Sequence, residues 1–264
     1  MNKRFFCPGY GEVANGMSVV ADIIEKEGLY KGFFILHGAW NVKLWIKAFK
    51  LIFKGKSFIR VSHGSYSRVA IKKKGKIKKH LVKPLERFLL RRAAKVIVTC
   101  DAERNWVHEY EPKAKVEMLD LKKFFKVREG AASLLQEKKL KVLYIGRRHP
   151  LKGVHLLESA IKELAKTSDI ELRIATNAKG EEKDFLFNWC DVVCLPTLTE
   201  NFGLAIAEAR AYGKLAITTD GAPAWENEKG VIFIKGFVDA SDAQRVKMLI
   251  KEFSSLIKGA KNEN

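Results

Sequence analysis

Cysteine is scarce. The four in 264 residues, Cys7, Cys100, Cys190 and Cys194, have neither the density of a disulfide-stapled module nor a paired metal-ligand spacing, so they are expected to be small buried apolar side chains in a reducing compartment. Long apolar runs are missing as well. None approaches the ~18 residues that a bilayer-spanning helix needs, and the opening MNKRFFCPGYGEV holds no stretch of signal-peptide length. Together these absences predict a cytoplasmic chain without a membrane span. No fixed-period repeat, helix-turn-helix, zinc finger or RNA-binding signature is present, and no His, Cys, Asp and Glu grouping has ligand spacing. Neither a resident metal nor a cofactor is expected, and no specific nucleic acid.

What the sequence has in excess is positive charge. Lys plus Arg number 49 against 30 Asp plus Glu, a formal net charge of +19. Residues 1–137 carry 29 basic and 13 acidic side chains, whereas residues 138–264 are nearly balanced at 20 and 17. Residues 31–95 hold 19 Lys or Arg and one acid, Glu86. Such a stretch attracts a polyanion or an acidic membrane surface. Within it Lys43, Lys47, Lys50 and Lys54 recur at helical spacing beside Trp45, Phe49, Ile52 and Phe53. That pattern suits an interfacial helix whose lysines meet anionic lipid while its rings enter the headgroup boundary. It suits equally a helix that packs its apolar side on a sheet and leaves a wet Lys face.

Short apolar runs alternate with helical periodicity along the whole chain. GFFIL, SFIRVSHG, AKVIVTC, KVLYIG, IELRIAT, DVVCLPT, KLAITTD and GVIFI read as buried strands, and VKLWIKAFKLIF, AERNWVHEY, VHLLESAIKELAK and LAIAEARAYG as helices between them. Alternation of this kind predicts an α/β protein of βαβ units with parallel sheets. The pattern restarts after the charged stretch EKKLK, which predicts two Rossmann-like domains facing a cleft. They are placed at 1–137 and 138–264, the second with a C-terminal helix over about 240–258 whose return to the first domain stays open.

The densest chemistry follows the strand DVVCLP, in the stretch from Thr199 to Ala209. A helix starting near Phe202 leaves Glu200 in the loop before it and Glu208 about two turns along, so both carboxylates can face the carboxyl ends of the strands. Gly203 permits close backbone approach, and the N–H groups of Phe202, Gly203 and Leu204 form an anion site at that helix start. Upstream, KVLYIGRRHPLKG puts Arg147 and Lys152 in a glycine-flanked loop between strand and helix, where two cations suit a diphosphate. Taken singly, these residues have plainer readings as caps and solvated charges.

In combination they resemble the nucleotide-sugar-binding domain of the retaining "group 1" glycosyltransferases, glycosyltransferase family four, which have the two-domain GT-B fold. The likeness rests on Gly146-Arg147 with Lys152-Gly153, the Asp-Val-Val strand ending at Pro196, Glu200 with Glu208, and the segment KLAITTDGAPAWE ending at Glu226. In the first half, His37-Gly38-Ala39-Trp40, Ser62-His63-Gly64-Ser65 and Thr99-Cys100-Asp101-Ala102-Glu103 resemble further stations of that family, and Gly9, Gly11 and Gly16 its N-terminal glycine-rich loop.

The resemblance implies a compact, metal-independent enzyme that moves a sugar from a nucleotide diphosphate, UDP above all, to a saccharide. Arg147 and Lys152 would neutralise the donor diphosphate, Glu208 would accept from the ribose hydroxyls, and Glu200 would hold the donor sugar. His63 would contact that sugar from the other domain, with His37 and Trp40 near donor or acceptor. Family habit and the basic first half imply a lipid-linked or lipopolysaccharide-core acceptor. They also imply a peripheral position on the inner face of the plasma membrane, with Lys43, Trp45, Lys47, Phe49, Lys50 and Lys54 against the lipid. Two other readings stand beside this one. Both halves are short for such enzymes, which fits a catalytically degenerate nucleotide or saccharide binder, and the charge alone fits a nucleic-acid-binding protein.

Overall fold

The computed structural model describes residues 4–7, 16–67, 70–71, 76–128 and 139–262, with side chains left aside over 76–81 and 260–262. The chain divides into two compact units, Met1–Leu121 and Lys122–Asn264. The division falls earlier than the expected residue 137 because the segment after Leu121 is tied into the second unit. Lys122 pairs with Glu228, the rings of Phe125 and Phe202 lie 6.3 Å apart, and the Arg128 N–H donates to the Arg210 carbonyl at 3.2 Å. A change in composition marks where a linker could be, whereas contacts decide which core a segment joins.

The first unit runs β1 (Phe5–Phe6), α1 (Gly16–Lys26), β2 (Phe34–His37), α2 (Val42–Phe53), β3 (Phe58–Val61), α3 (Lys76–Arg92), β4 (Lys95–Val98), α4 (Asp101–Tyr110) and β5 (Val116–Met118). Its five strands are parallel, in the order β1-β2-β3-β4-β5. Register sets Leu36, Arg60 and Val96 side by side on one face. Strand residues alternate faces, so Phe58 and Val98 join them, and this layer packs on Leu44, Ala48 and Leu51 of α2, Leu89 and Leu90 of α3 and Val107 of α4. Asn41 starts α2 by accepting the Leu44 N–H on its side chain at 3.3 Å.

Arg60 is the exception in that apolar layer. It is fully buried and meets Glu86 of α3, also fully buried, at 2.8 Å. Glu86 further accepts from the Tyr66 hydroxyl at 2.6 Å and the Trp45 ring N–H at 2.5 Å, while Arg60 also donates to the Gly38 carbonyl at 2.8 Å. The single acid of the basic stretch is therefore not on the surface.

The second unit runs β6 (Leu140–Ile145), α5 (Val154–Leu164), β7 (Ile170–Ala175), α6 (Gly180–Trp189), β8 (Val192–Leu195), α7 (Leu204–Ala211), β9 (Leu215–Thr219), β10 (Val231–Ile234) and α8 (Asp242–Asn262). Its parallel strands lie in the order β10-β9-β8-β6-β7. The terminal helix, expected over about 240–258, packs against α5 of its own unit. The order reverses at β6, since the chain leaves it toward β7 and later returns to place β8 on its other side. Connections leaving in opposite directions open a crevice at the carboxyl ends of β6 and β8, the usual ligand position in open parallel sheets. The described strands of the first unit run in sequence order and contain no such reversal. All four cysteines are free and buried, as their scarcity suggested.

Candidate functional site

The loops after β6 and β8 flank that reversal, and they carry Arg147, Lys152 and Glu200. Close backbone contact locks the two loops together. The Leu198 N–H donates to the Leu151 carbonyl at 2.8 Å, the Thr197 hydroxyl to the same carbonyl at 3.1 Å, and a Cβ on Gly153 would lie 2.0 Å from the Pro196 carbonyl oxygen. With φ of 67° as well, position 153 admits only glycine without a shift of backbone. On the other side the Glu200 N–H donates to the Gly221 carbonyl at 2.7 Å. Glu200 is thus held by its main chain between two neighbouring loops.

Its side chain is held as well. Lys152 Nζ lies 2.5 Å from Glu200 Oε2 and 3.1 Å from the Thr199 carbonyl, and Glu200 Oε1 accepts the Asn201 N–H at 3.2 Å. Both members of the pair are mostly sheltered, with side chains 17% and 23% exposed. The two residues that the sequence assigns to diphosphate and sugar therefore touch. Arg147 is exposed and makes no ion pair among the described residues. It stands one position after Gly146, where the Tyr144 hydroxyl donates to its carbonyl at 2.9 Å.

Helix α7 begins at Leu204, two residues later than the sequence suggests, so Glu208 lies about one turn inside it rather than two. Gly203 caps the helix in the left-handed conformation, φ 79°, packed against the Trp225 ring. The indole N–H of Trp225 donates to the Phe202 carbonyl, fixing the turn from behind. Among the described residues the N–H groups of Phe202, Gly203 and Leu204 make no hydrogen bond. N–H groups left without a partner at a helix start offer partial positive charge to an anion. Glu226, at the end of the following segment, is exposed and pairs with Lys235 at 2.7 Å.

Glu208 has a partner that sequence reasoning missed. Lys183, in α6, places Nζ 2.5 Å from Glu208 Oε1. Burial raises the Glu208 pKa above the ordinary carboxylate value, and Lys183 opposes that rise through its charge and its hydrogen bond. Nothing in GEEKDF marks Lys183, because the pair spans 25 positions and two helices. A direct consequence concerns pH. Without Lys183, burial acts on Glu208 unopposed, so the carboxyl holds its proton to higher pH and loses its strength as an acceptor on the acid side. In Lys183→Met, binding of a ligand that donates hydroxyls to Glu208 should weaken roughly tenfold, about 1.4 kcal/mol, at mildly acidic pH and recover as pH rises. Calorimetric titrations across pH would check this, and superimposable wild-type and variant profiles would refute it.

In the first unit, the stations read from sequence are stitched to one another. His37, buried at the end of β2, brings Nδ1 within 2.9 Å of His63 Nε2, and the Trp40 ring N–H donates to the Ser65 carbonyl at 2.8 Å. Glu103, buried at the start of α4, accepts from the Ser62 hydroxyl, the Gly64 N–H and the Thr99 N–H, binding the end of β3 to the end of β4. Burial lowers the His63 pKa to about 3 and holds His37 well below its ordinary value, with the neighbouring His63 adding to the effect. Both rings are neutral near pH 7. His37 Nε2 is buried and has no hydrogen-bond partner among the described residues. Gly9 and Gly11 lie outside the described residues, and Gly16 is the exposed first residue of α1.

The expected lipid-facing set on α2 separates into two groups. Trp45 and Phe49 turn toward the core layer, and Lys47 lies over the Phe34 ring at 5.9 Å, while Lys43, Lys50 and Lys54 are exposed. Among the described residues no helix is long and apolar enough to cross a membrane, and no group of three His, Cys, Asp or Glu is placed to hold a metal ion.

Residues 176–255 match the family Glycosyl transferases group 1. No curated protein matches the sequence significantly. Solved structures match over nearly the whole chain. A UDP-forming trehalose-phosphate synthase from Burkholderia xenovorans superposes with a TM-score of 0.59 at 12% identity, covering 92% of this chain and 73% of that one. HepE from Anabaena, solved with UDP-glucose, gives 0.56 at 17%, covering 93% and 76%. Sucrose-phosphate synthase from Thermosynechococcus elongatus gives 0.55 at 14%, covering 92% and 72%. At such identities the likeness establishes the fold, two parallel five-stranded α/β units of the GT-B class.

Proposed function

We propose that this protein is a glycosyltransferase that moves a sugar, with retention of configuration, from a nucleoside diphosphate, UDP foremost, to a lipid-linked or lipopolysaccharide-core saccharide at the cytoplasmic membrane face. The observation that carries the reading is the Lys152–Glu200 pair at the sheet's reversal point, beside exposed Arg147 and the unbonded N–H groups that open α7. Lys152 and Arg147 take the diphosphate and stabilise its growing charge as the glycosidic bond breaks, with the α7 N–H groups adding partial positive charge, so side chains rather than a divalent ion supply the neutralisation. Glu200 accepts from donor-sugar hydroxyls next to the reacting carbon, where its charge also favours an oxocarbenium-like transition state. Glu208, held by Lys183, takes the ribose hydroxyls. The family match over residues 176–255, which includes Glu200 and Glu208, supports the donor side, and HepE was solved with UDP-glucose. The excess of basic residues in 1–137 supports an acceptor at an anionic surface.

Thermal unfolding with UDP, GDP, ADP and CMP tests the donor. UDP at about 100 times its Kd should stabilise the fold by about 2.7 kcal/mol. The shift should be lost in both Lys152→Ala and Glu208→Ala. No shift from any nucleotide would overturn the reading in favour of a degenerate binding module.

A further inference from the structure

Helix α2 has a wider apolar arc than its core uses. At about 100° per residue, Leu44, Ala48 and Leu51 point inward, and none is more than 4% exposed. Val42, Ile46 and Phe53 fall within roughly 40° of one another on the outward side, and they are 62%, 50% and 86% exposed. Phe49 falls about 20° from Val42, at the rim of the outward group, and is partly buried against the core. Its ring stacks on Phe88 of α3 at 6.2 Å and lies 6.5 Å from Phe53, and Phe88 is itself 39% exposed. Of the six large apolar side chains exposed among the described residues, four therefore gather on this one face of α2 and α3.

The exposed charge that α2 and α3 themselves carry has one sign. Lys43, Lys50 and Lys54 are exposed on the adjoining stripe of α2, and Arg92 is exposed on α3 one turn after Phe88. Glu86 is the only acid between residues 31 and 95, and it is withdrawn into the interior against Arg60. Residues 31–95 thus present no carboxylate at the surface that carries the patch. A nucleic acid would use the cations but leave the four apolar side chains in water. An anionic bilayer uses both, since apolar tips enter the headgroup boundary while lysines meet lipid phosphates.

We propose that this face of α2 and α3 docks on an anionic bilayer, with Val42, Ile46, Phe53 and Phe88 entering the headgroup boundary and Lys43, Lys50 and Lys54 on the lipid phosphates. Trp45 and Phe49 do not insert. They pack partly against the core layer of their own unit, and Trp45 also donates its ring N–H to buried Glu86. The surface deepens the proposed membrane-side acceptor, yet it uses no donor-site residue.

Flotation of the full chain with vesicles of phosphatidylcholine alone, and of phosphatidylcholine mixed with phosphatidylglycerol, tests the assignment. The wild type should float with the anionic vesicles only, and less so as salt rises. The triple variant Val42→Ser, Ile46→Ser, Phe53→Ser should lose roughly tenfold or more in partitioning at an unchanged thermal midpoint, because those side chains contribute little to the core. The triple variant Lys43→Gln, Lys50→Gln, Lys54→Gln should lose most of the salt dependence. Glu200→Gln should float like the wild type, which separates failure of this surface from failure of the donor site. Flotation of the serine variant equal to wild type would overturn the proposal. So would absent flotation combined with tight single-stranded DNA binding that the serine variant retains.

Discussion

Glu200→Gln should slow sugar transfer by two to three orders of magnitude, about 100- to 1,000-fold in kcat, while the fold survives. The carboxylate is preset rather than recruited, since its main chain is fixed by Gly221, one oxygen accepts the Asn201 N–H and the other meets Lys152 at 2.5 Å. The amide keeps the shape and loses the charge, so the interaction with a positively charged transition state disappears and the hydrogen bond to Lys152 weakens. Removing one preorganised electrostatic group from a sheltered site costs a factor of about 100 to 1,000 in kcat, or roughly 2.7–4 kcal/mol. Lys152→Met should cost a similar amount by leaving the departing diphosphate less neutralised, and Lys152→Arg should recover part of it. Because the pair is a unit, the double variant should be little worse than either single one. Turnover with candidate nucleotide sugars, read beside the thermal midpoint, checks the set. A Glu200→Gln protein with wild-type kcat would remove Glu200 from the chemistry.

The second large effect concerns stability. Glu86→Leu should destabilise the first unit by about 3–5 kcal/mol, because it strands the Arg60 guanidinium in a fully buried layer and also leaves the Tyr66 hydroxyl and the Trp45 ring N–H without their acceptor. For a unit of this size that is a fall in thermal midpoint on the order of 10 °C. Arg60→Met should cost a comparable amount through the stranded carboxylate. The double variant Arg60→Met, Glu86→Leu should lose less than either single one, since no unpaired charge remains and the volume is kept. Because Arg60 also donates to the Gly38 carbonyl, the double variant should loosen the loop from Gly38 to Asn41 that carries Trp40, visible as faster amide exchange there. Denaturant unfolding of the three variants decides the matter. Single variants within 1 kcal/mol of wild type would mean that water reaches the pair, contrary to its burial.

Local chemistry was legible in the sequence. The alternation of apolar runs with helical periodicity pointed to two parallel α/β units, and the stretches around Lys152 and Glu200 could be placed because each candidate side chain follows a strand by only a few residues. Such a residue inherits its place from the strand, whose direction the fold class already fixes. The domain boundary was less legible. EKKLK looks like a linker by composition, but Lys122, Phe125 and Arg128 bond into the second unit before it is reached.

The sequence by itself thus determined the fold class, the buried state of the cysteines and the position of Arg147, Lys152 and Glu200 in the loops that follow β6 and β8. Tertiary structure alone decided that Lys183 meets Glu208, that His37 faces His63, and that the lone acid of the basic stretch is buried on Arg60 rather than exposed among the lysines. It also decided which edge of the α2 arc faces outward, giving Val42, Ile46 and Phe53 to the surface and Trp45 and Phe49 to the interior. The physical reason is the same in each case. Periodicity fixes the angle between side chains on one element, but where that element's faces point depends on what packs against it, and those partners lie tens of residues away along the chain.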